Sequence, residues 1–172
     1  MIGAGLVGAI LWILVLPRLD WSARKPPGVV EQALARNVLR RWVLRNAGCS
    51  TNPLASTPET LKAARTEFDE HCAACHALDG SGHNRYEADF YPPVAKLTAG
   101  VQRLSDSELY FIIAQGVRNT AMPAFANTHS RDDIWRAVLW VRHLANLTLD
   151  EKAAIQQEVR DATKEHEKTM EH

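Results

Sequence analysis

The stretch that decides the fold is residues 61–76, Leu-Lys-Ala-Ala-Arg-Thr-Glu-Phe-Asp-Glu-His-Cys-Ala-Ala-Cys-His. Leu61, Ala64, Phe68, Cys72 and Cys75 recur every three or four positions, with Lys62, Arg65, Glu67 and Glu70 between them. That spacing predicts a helix with one apolar face ending in two thiols. The last five residues form C-x-x-C-H, the haem attachment signature. Two thiols three positions apart on a helical turn can both add to the vinyl groups on one porphyrin edge, and the adjacent imidazole then lies under the iron. A structural zinc site calls for four thiolate or imidazole ligands, usually from a second C-x-x-C or an H-x-x-x-H pair, and the chain has neither. A thioredoxin-like dithiol calls for a βαβ setting, which this helical pattern does not provide. Cys72, Cys75 and His76 are therefore assigned to one covalently attached haem c, with His76 as an iron ligand.

An iron that moves electrons without binding substrate needs a second axial ligand. The methionines are Met1 in an apolar N-terminal run, Met170 in a charged tail, and Met122. Met122-Pro123 lies on a proline-stiffened loop after a helix that opens at Leu104-Ser105-Asp106, runs through Tyr110, Phe111 and Ile113, and ends at Gly116, a residue suited to the C′ position. A methionine is ordinarily core filler; beside a haem turn Met122 becomes the candidate ligand, with His83, His129 and His143 as competitors. Residues 78–103 carry Gly80, Gly82, Pro92, Pro93 and Gly100 with weak periodicity and read as a long functional loop. A final helix begins near Arg131, with Ile134, Val138, Val141 and Leu144 on one side and Trp135 and Trp140 beside it. No stretch reads as a strand, so the expected class is all-α.

Residues 57–147 resemble a class I cytochrome c domain, over about half the chain. The matching pieces are Phe68-x-x-x-Cys72-x-x-Cys75-His76, Tyr91-Pro92-Pro93-Val94, Leu104-Ser105-Asp106, Met122-Pro123 and Trp140-Val141-x-x-Leu144. The resemblance implies a helical fold in which the first and last helices cross with Phe68 near Trp140. It also implies a carbonyl in the Pro92-Pro93 region that accepts a hydrogen bond from the distal ring nitrogen of His76. Ala64 stands where the family usually has glycine, which leaves less room at the crossing.

Upstream, residues 1–16 hold no charge or strong polar group and are expected to form a single transmembrane anchor, though about 24 Å of helix is short of a roughly 30 Å hydrocarbon core. A cleaved signal peptide fits less well, since no basic n-region precedes the run and Pro17-Arg18-Leu19-Asp20-Trp21 follows it directly. Arg18, Arg24 and Lys25 then face outward, against the positive-inside tendency. Residues 17–56 are expected to form a juxtamembrane amphipathic helix and linker. In the helix, Val30, Leu34, Val38 and Trp42, widened by Leu39 and Val43, oppose Arg36, Arg40, Arg41 and Arg45. This helix packs on protein or lies on anionic headgroups. Thr57-Pro58 offers an N-cap with proline at N1. Ala47-Gly48-Cys49 has the ending of a bacterial lipobox, but Arg45 and Asn46 precede it instead of an apolar run, so Cys49 is expected to be a free linker thiol. Arg85, Tyr86, Arg103 and Arg118 are candidates to meet haem propionates, against the plainer reading of surface residues.

Charge divides the chain similarly. Residues 1–56 carry seven basic and two acidic side chains, 57–147 nine and eleven, and the tail 148–172 four and seven, for a net charge of zero. No basic cluster interleaves with aromatics, so nucleic acid is not expected as a partner. The tail is expected to be a solvated helix or disordered. Together these features imply a membrane-anchored single-electron carrier, not an enzyme, with His76/Met122 ligation on the periplasmic or another extracytoplasmic side. Its expected partners are redox proteins and membrane lipid, with no small-molecule substrate. The alternatives are a relay or structural subunit of a larger membrane redox complex, and an open-iron haem enzyme or gas sensor.

Overall fold

The computed structural model describes residue 13, residues 28–83, residue 90 and residues 92–170, with side chains through residue 161 and at 164. The expected anchor, Arg85, Tyr86 and Tyr91 lie outside the described residues, apart from Ile13. Six α-helices appear among the described residues, and no strand. They are α1 (Val29–Asn46), α2 (Pro58–His71), α3 (Ala73–His76), α4 (Asp106–Gln115), α5 (Arg131–Leu144) and α6 (Leu149–Met170), with 3-10 turns at Gly100–Arg103 and Phe125–Asn127. Among the described residues no helix is long and apolar enough to cross a membrane.

Three helices start on reciprocal caps that the sequence itself supplies. Thr57 accepts from the Thr60 amide with Pro58 at the first helical position, Ser105 pairs with Glu108, and Ser130 pairs with Asp133. Each cap occupies backbone donors that the first helical turn leaves without partners. The most extensive helix contact is α2 against α5. There Ala64 and Phe68 are fully buried and share one core with Val138, Trp140 and Leu144. The methyl of Ala64 is thus accommodated in the core without leaving any exposed surface. Trp140 lies under the guanidinium of Arg65, 6.0 Å from the ring centroid, and its indole N–H has no acceptor among the described residues.

The helix expected to run on through Cys75 is instead two. α2 ends at His71, Cys72 turns the chain at φ −116°, and the single turn α3 carries the remainder of the motif. Periodicity alone does not register such a break, because the amide of Cys72 still reaches the carbonyl of Phe68 at 2.8 Å.

The linker before α2 is stitched to the domain. Asn52 donates to the Trp135 carbonyl at 2.9 Å, and the Ser107 hydroxyl donates to the carbonyl of Gly48 at 3.1 Å. Arg142 on α5 donates to Asp106 at 2.8 Å and to the Gln102 carbonyl at 3.1 Å, and Gln102 donates to the carbonyls of Leu97 and Val141. This network ties the long loop, α4 and α5 together with charge-assisted bonds.

The charged tail is a helix, and its first turns dock. Ile155 is buried in the core, Glu158 pairs with Arg65, and Glu151 accepts from His143 at 2.7 Å. Hydrogen bonds from the Thr148 amide, from His143 and from the Thr148 hydroxyl hold the Glu151 carboxyl well below its ordinary range, at about 2. At the other end of the chain only the last turns of α1 pack. Val43 is buried and the Trp42 ring lies 4.6 Å from that of Phe111, whereas Val29, Val30, Leu34 and Val38 are exposed.

Candidate haem site

Cys72, Cys75 and His76 come together on the turn between α2 and the long loop. The amides of Cys75 and His76 both reach the Cys72 carbonyl, at 3.1 and 2.9 Å, which winds the three side chains around one helical turn. Burial pushes the Cys72 thiol up to about 12.

The His76 ring is fixed from behind. Its Nδ1 lies 3.1 Å from the carbonyl oxygen of Ala95. Burial lowers the ring's pKa, with the Ala95 carbonyl opposing, so the neutral imidazole is favoured. A neutral ring that donates Nδ1–H to a carbonyl keeps its Nε2 lone pair for a metal. The carbonyl at this ring belongs to Ala95, two residues beyond Pro93, while Pro92 and Pro93 are exposed on the same loop. Pro92 lies in a bend, and the acceptor falls where the chain passes the imidazole.

The surrounding loop is held to the core. The Gly82 amide donates to the His76 carbonyl at 2.8 Å, and the Leu97 amide donates to the Gly80 carbonyl at 2.8 Å. Gly80 has φ +69°, and a Cβ there would stand 2.9 Å from Leu144 Cδ1 and 3.2 Å from Leu97 Cβ. Only glycine suits both the dihedral and the approach. Ala77, immediately after His76, adopts φ 62° and ψ 156°, a region otherwise almost confined to glycine.

Met122 is half-buried on a loop that closes on itself. The Val117 amide donates to the Met122 carbonyl at 3.1 Å, and the Met122 amide donates to Thr120 Oγ1 at 3.1 Å. Gly116 closes the loop at φ +64°, where a Cβ would meet the Pro123 carbonyl at 2.6 Å. The 3-10 turn that follows packs on α4 and α5.

The other named residues have separate positions. His143 is engaged with Glu151, His129 lies beside Glu67, and His83 is exposed. Arg103 and Arg118 are exposed, as is Cys49. The Ala95 carbonyl and the pairing of His129 with Glu67 were not legible in the sequence, because each joins residues far apart in the chain and no local pattern records such a contact.

The residues present fit a covalently bound haem. Two thiols and a neutral imidazole with a free Nε2 share one turn, and Leu78, Val101, Leu104, Tyr110 and Ile113 offer half-buried apolar surface packed against the core. The family comparison agrees with that chemistry. Residues 59–141 match the family model described as cytochrome C oxidase, cbb3-type, subunit III. Among solved structures, the chain is similar to one in the Kuenenia stuttgartiensis reducing HAO-like protein complex Kustc0457/Kustc0458. The two are 24% identical with a TM-score of 0.48, and the similarity covers 54% of this chain and 46% of that one, so the match spans less than half of the solved chain. Among curated proteins none matches. The C-x-x-C-H turn and the family match fall in one segment, and residues 59–141 form a c-type cytochrome domain.

Proposed function

We propose that this chain is a single-electron carrier with one haem c, bound by Cys72 and Cys75 and ligated by His76 and Met122, working outside the cytoplasm and held at a membrane through residues 1–16. The observation that carries the reading is the His76 ring, half-buried, with Nδ1 against the Ala95 carbonyl beside two thiols on the same turn. When bound, haem supplies reversible one-electron exchange at its iron. The chain's own contribution is to hold the imidazole neutral and oriented, to present a thioether from the Met122 loop, and to surround both with apolar surface. A thioether ligand favours the reduced ion and so raises the potential. The chain contains one C-x-x-C-H sequence, which supports one haem per chain.

Met122→Ala tests the ligand assignment. The variant is expected to keep its covalent haem, to gain a carbon monoxide difference spectrum that the parent lacks, and to show a lower reduction potential. An unchanged potential with no carbon monoxide binding would assign the position to a histidine, and a parent that already binds carbon monoxide would favour the open-iron enzyme or sensor.

A second reading is a relay subunit docked in a larger redox complex. It is favoured by the exposed apolar turns of α1, with Val29 and Val30 each more than 80% exposed, and by the oxidase-subunit description of the matching family. Mild-detergent purification separates the two readings, since a carrier elutes alone and a subunit elutes with stoichiometric partners.

A further inference from the structure

On the face of α2 near its C-terminal end, Glu67 and His71 stand one helical turn apart, and the loop preceding α5 brings His129 against them. One donor atom from each residue lies within 4.8 Å of the other two. His129 Nε2 is 3.5 Å and His71 Nε2 is 4.0 Å from Glu67 Oε1. The Glu67 and His129 side chains are only 15% and 16% exposed, and His71 is 38% exposed. The two imidazoles meet edge to face with centroids 4.5 Å apart, and Phe125 packs against His129 at 5.0 Å.

His129 is also oriented from outside the trio. Its Nδ1 lies 2.8 Å from Thr128 Oγ1, and its amide donates to the Phe125 carbonyl at 2.8 Å. In the tautomer that a metal ion at Nε2 selects, Nδ1–H donates to the hydroxyl and the Nε2 lone pair faces Glu67. An outer-shell partner of this kind is what metal-bound histidines commonly carry.

We propose that Glu67, His71 and His129 form a site for a divalent ion of borderline softness, Zn²⁺ being the natural occupant, next to the haem turn but using none of its thiols or its imidazole. Two imidazoles and one carboxylate are ligands that Zn²⁺ accepts, with a fourth position left for water or for Glu70, whose Oε2 is 3.8 Å from His71 Nε2. Donors bound to one tetrahedral Zn²⁺ at about 2.0–2.2 Å stand roughly 3.3–3.5 Å apart. The Glu67–His129 pair already has that spacing, and His71 has to close by about half an ångström on Glu67 and by up to about 1.3 Å on His129, a movement its half-exposed side chain permits. Ca²⁺ and Mg²⁺ are disfavoured because they call for predominantly oxygen ligands. Helix spacing brings His71 to Glu67, and the loop before α5 adds His129 from a distant part of the chain, so the three donors converge from two elements.

The test uses the untagged, haem-loaded full chain carrying Cys49→Ser, stripped with chelator and titrated calorimetrically with zinc chloride. One Zn²⁺ per chain is expected, and saturation raises the Tm because the ion binds the folded state. Glu67→Gln, His71→Asn and His129→Asn should each weaken binding by at least about tenfold, and Thr128→Val, which keeps every ligand, by about tenfold as outer-shell losses do. The absorption spectrum of the haem should be the same in all four variants. Absence of a saturable one-to-one site in the parent overturns the proposal, without any variant having to fold. So does undiminished affinity in the combined His71→Asn and His129→Asn chain. A changed haem spectrum in zinc-free His129→Asn would overturn it too, by assigning that imidazole to iron.

Discussion

Two turns of the same unusual backbone conformation bracket the candidate ligands, and they are built differently. After His76 the position is filled by Ala77 at φ 62°, and before Met122 by Gly116 at φ 64°. The described residues 72–83 and 92–97 are tied to the core through the Leu97–Gly80 bond, the approach of Gly80 to Leu144 and the Ala95 carbonyl at His76. The Met122 loop is closed mainly by its own bonds, Val117 to Met122 and Met122 to Thr120, and by the Gly116–Pro123 approach. One segment inherits its rigidity from the core, while the other carries its own. Damage to the first should therefore spread through the domain, and damage to the second should stay local.

The largest expected effect separates covalent from packing roles. Cys72→Ala combined with Cys75→Ala should give a chain with no haem that survives a denaturing gel, and a retained haem stain would end the assignment of this turn.

Gly80→Ala places a methyl against Leu97 and Leu144 at a positive φ. The strain and overpacking should cost about 2 kcal/mol, which thermal unfolding of the holoprotein should register as a Tm lower by roughly 4–8 °C. Because Leu144 belongs to the α2–α5 core, the loss should appear with little change in carbon monoxide binding.

Gly116→Ala should do the reverse. A Cβ against the Pro123 backbone forces the Met122 loop to shift, so a carbon monoxide-binding fraction should appear while the Tm changes less than in Gly80→Ala. Equal thermal losses in the two variants would remove the distinction between the segments.

The smallest effect tests the strained alanine. Ala77→Gly should stabilise the domain by about 1 kcal/mol or less, because relief of the backbone strain is partly offset by the greater freedom of glycine in the unfolded chain. A measured destabilisation would mean that the methyl of Ala77 contributes packing that outweighs its dihedral.

What the sequence determined by itself was local. The C-x-x-C-H chemistry, the N-cap at Thr57 and the glycine stop at Gly116 involve partners within a few positions, and such interactions leave a readable spacing. The apolar stripes of α2 and α5 were legible for the same reason, since one face of each helix must be buried. Only the tertiary structure decided which carbonyl meets His76, how the tail docks through Ile155, and that Arg142 and Gln102 join three elements. It also split the first helix at Cys72 and carried His129 to Glu67 and His71. Each of those outcomes depends on how packed elements are oriented, and that orientation follows from closing the core around Phe68 and Trp140, whereas periodicity specifies which face of a helix is buried and leaves open what it meets.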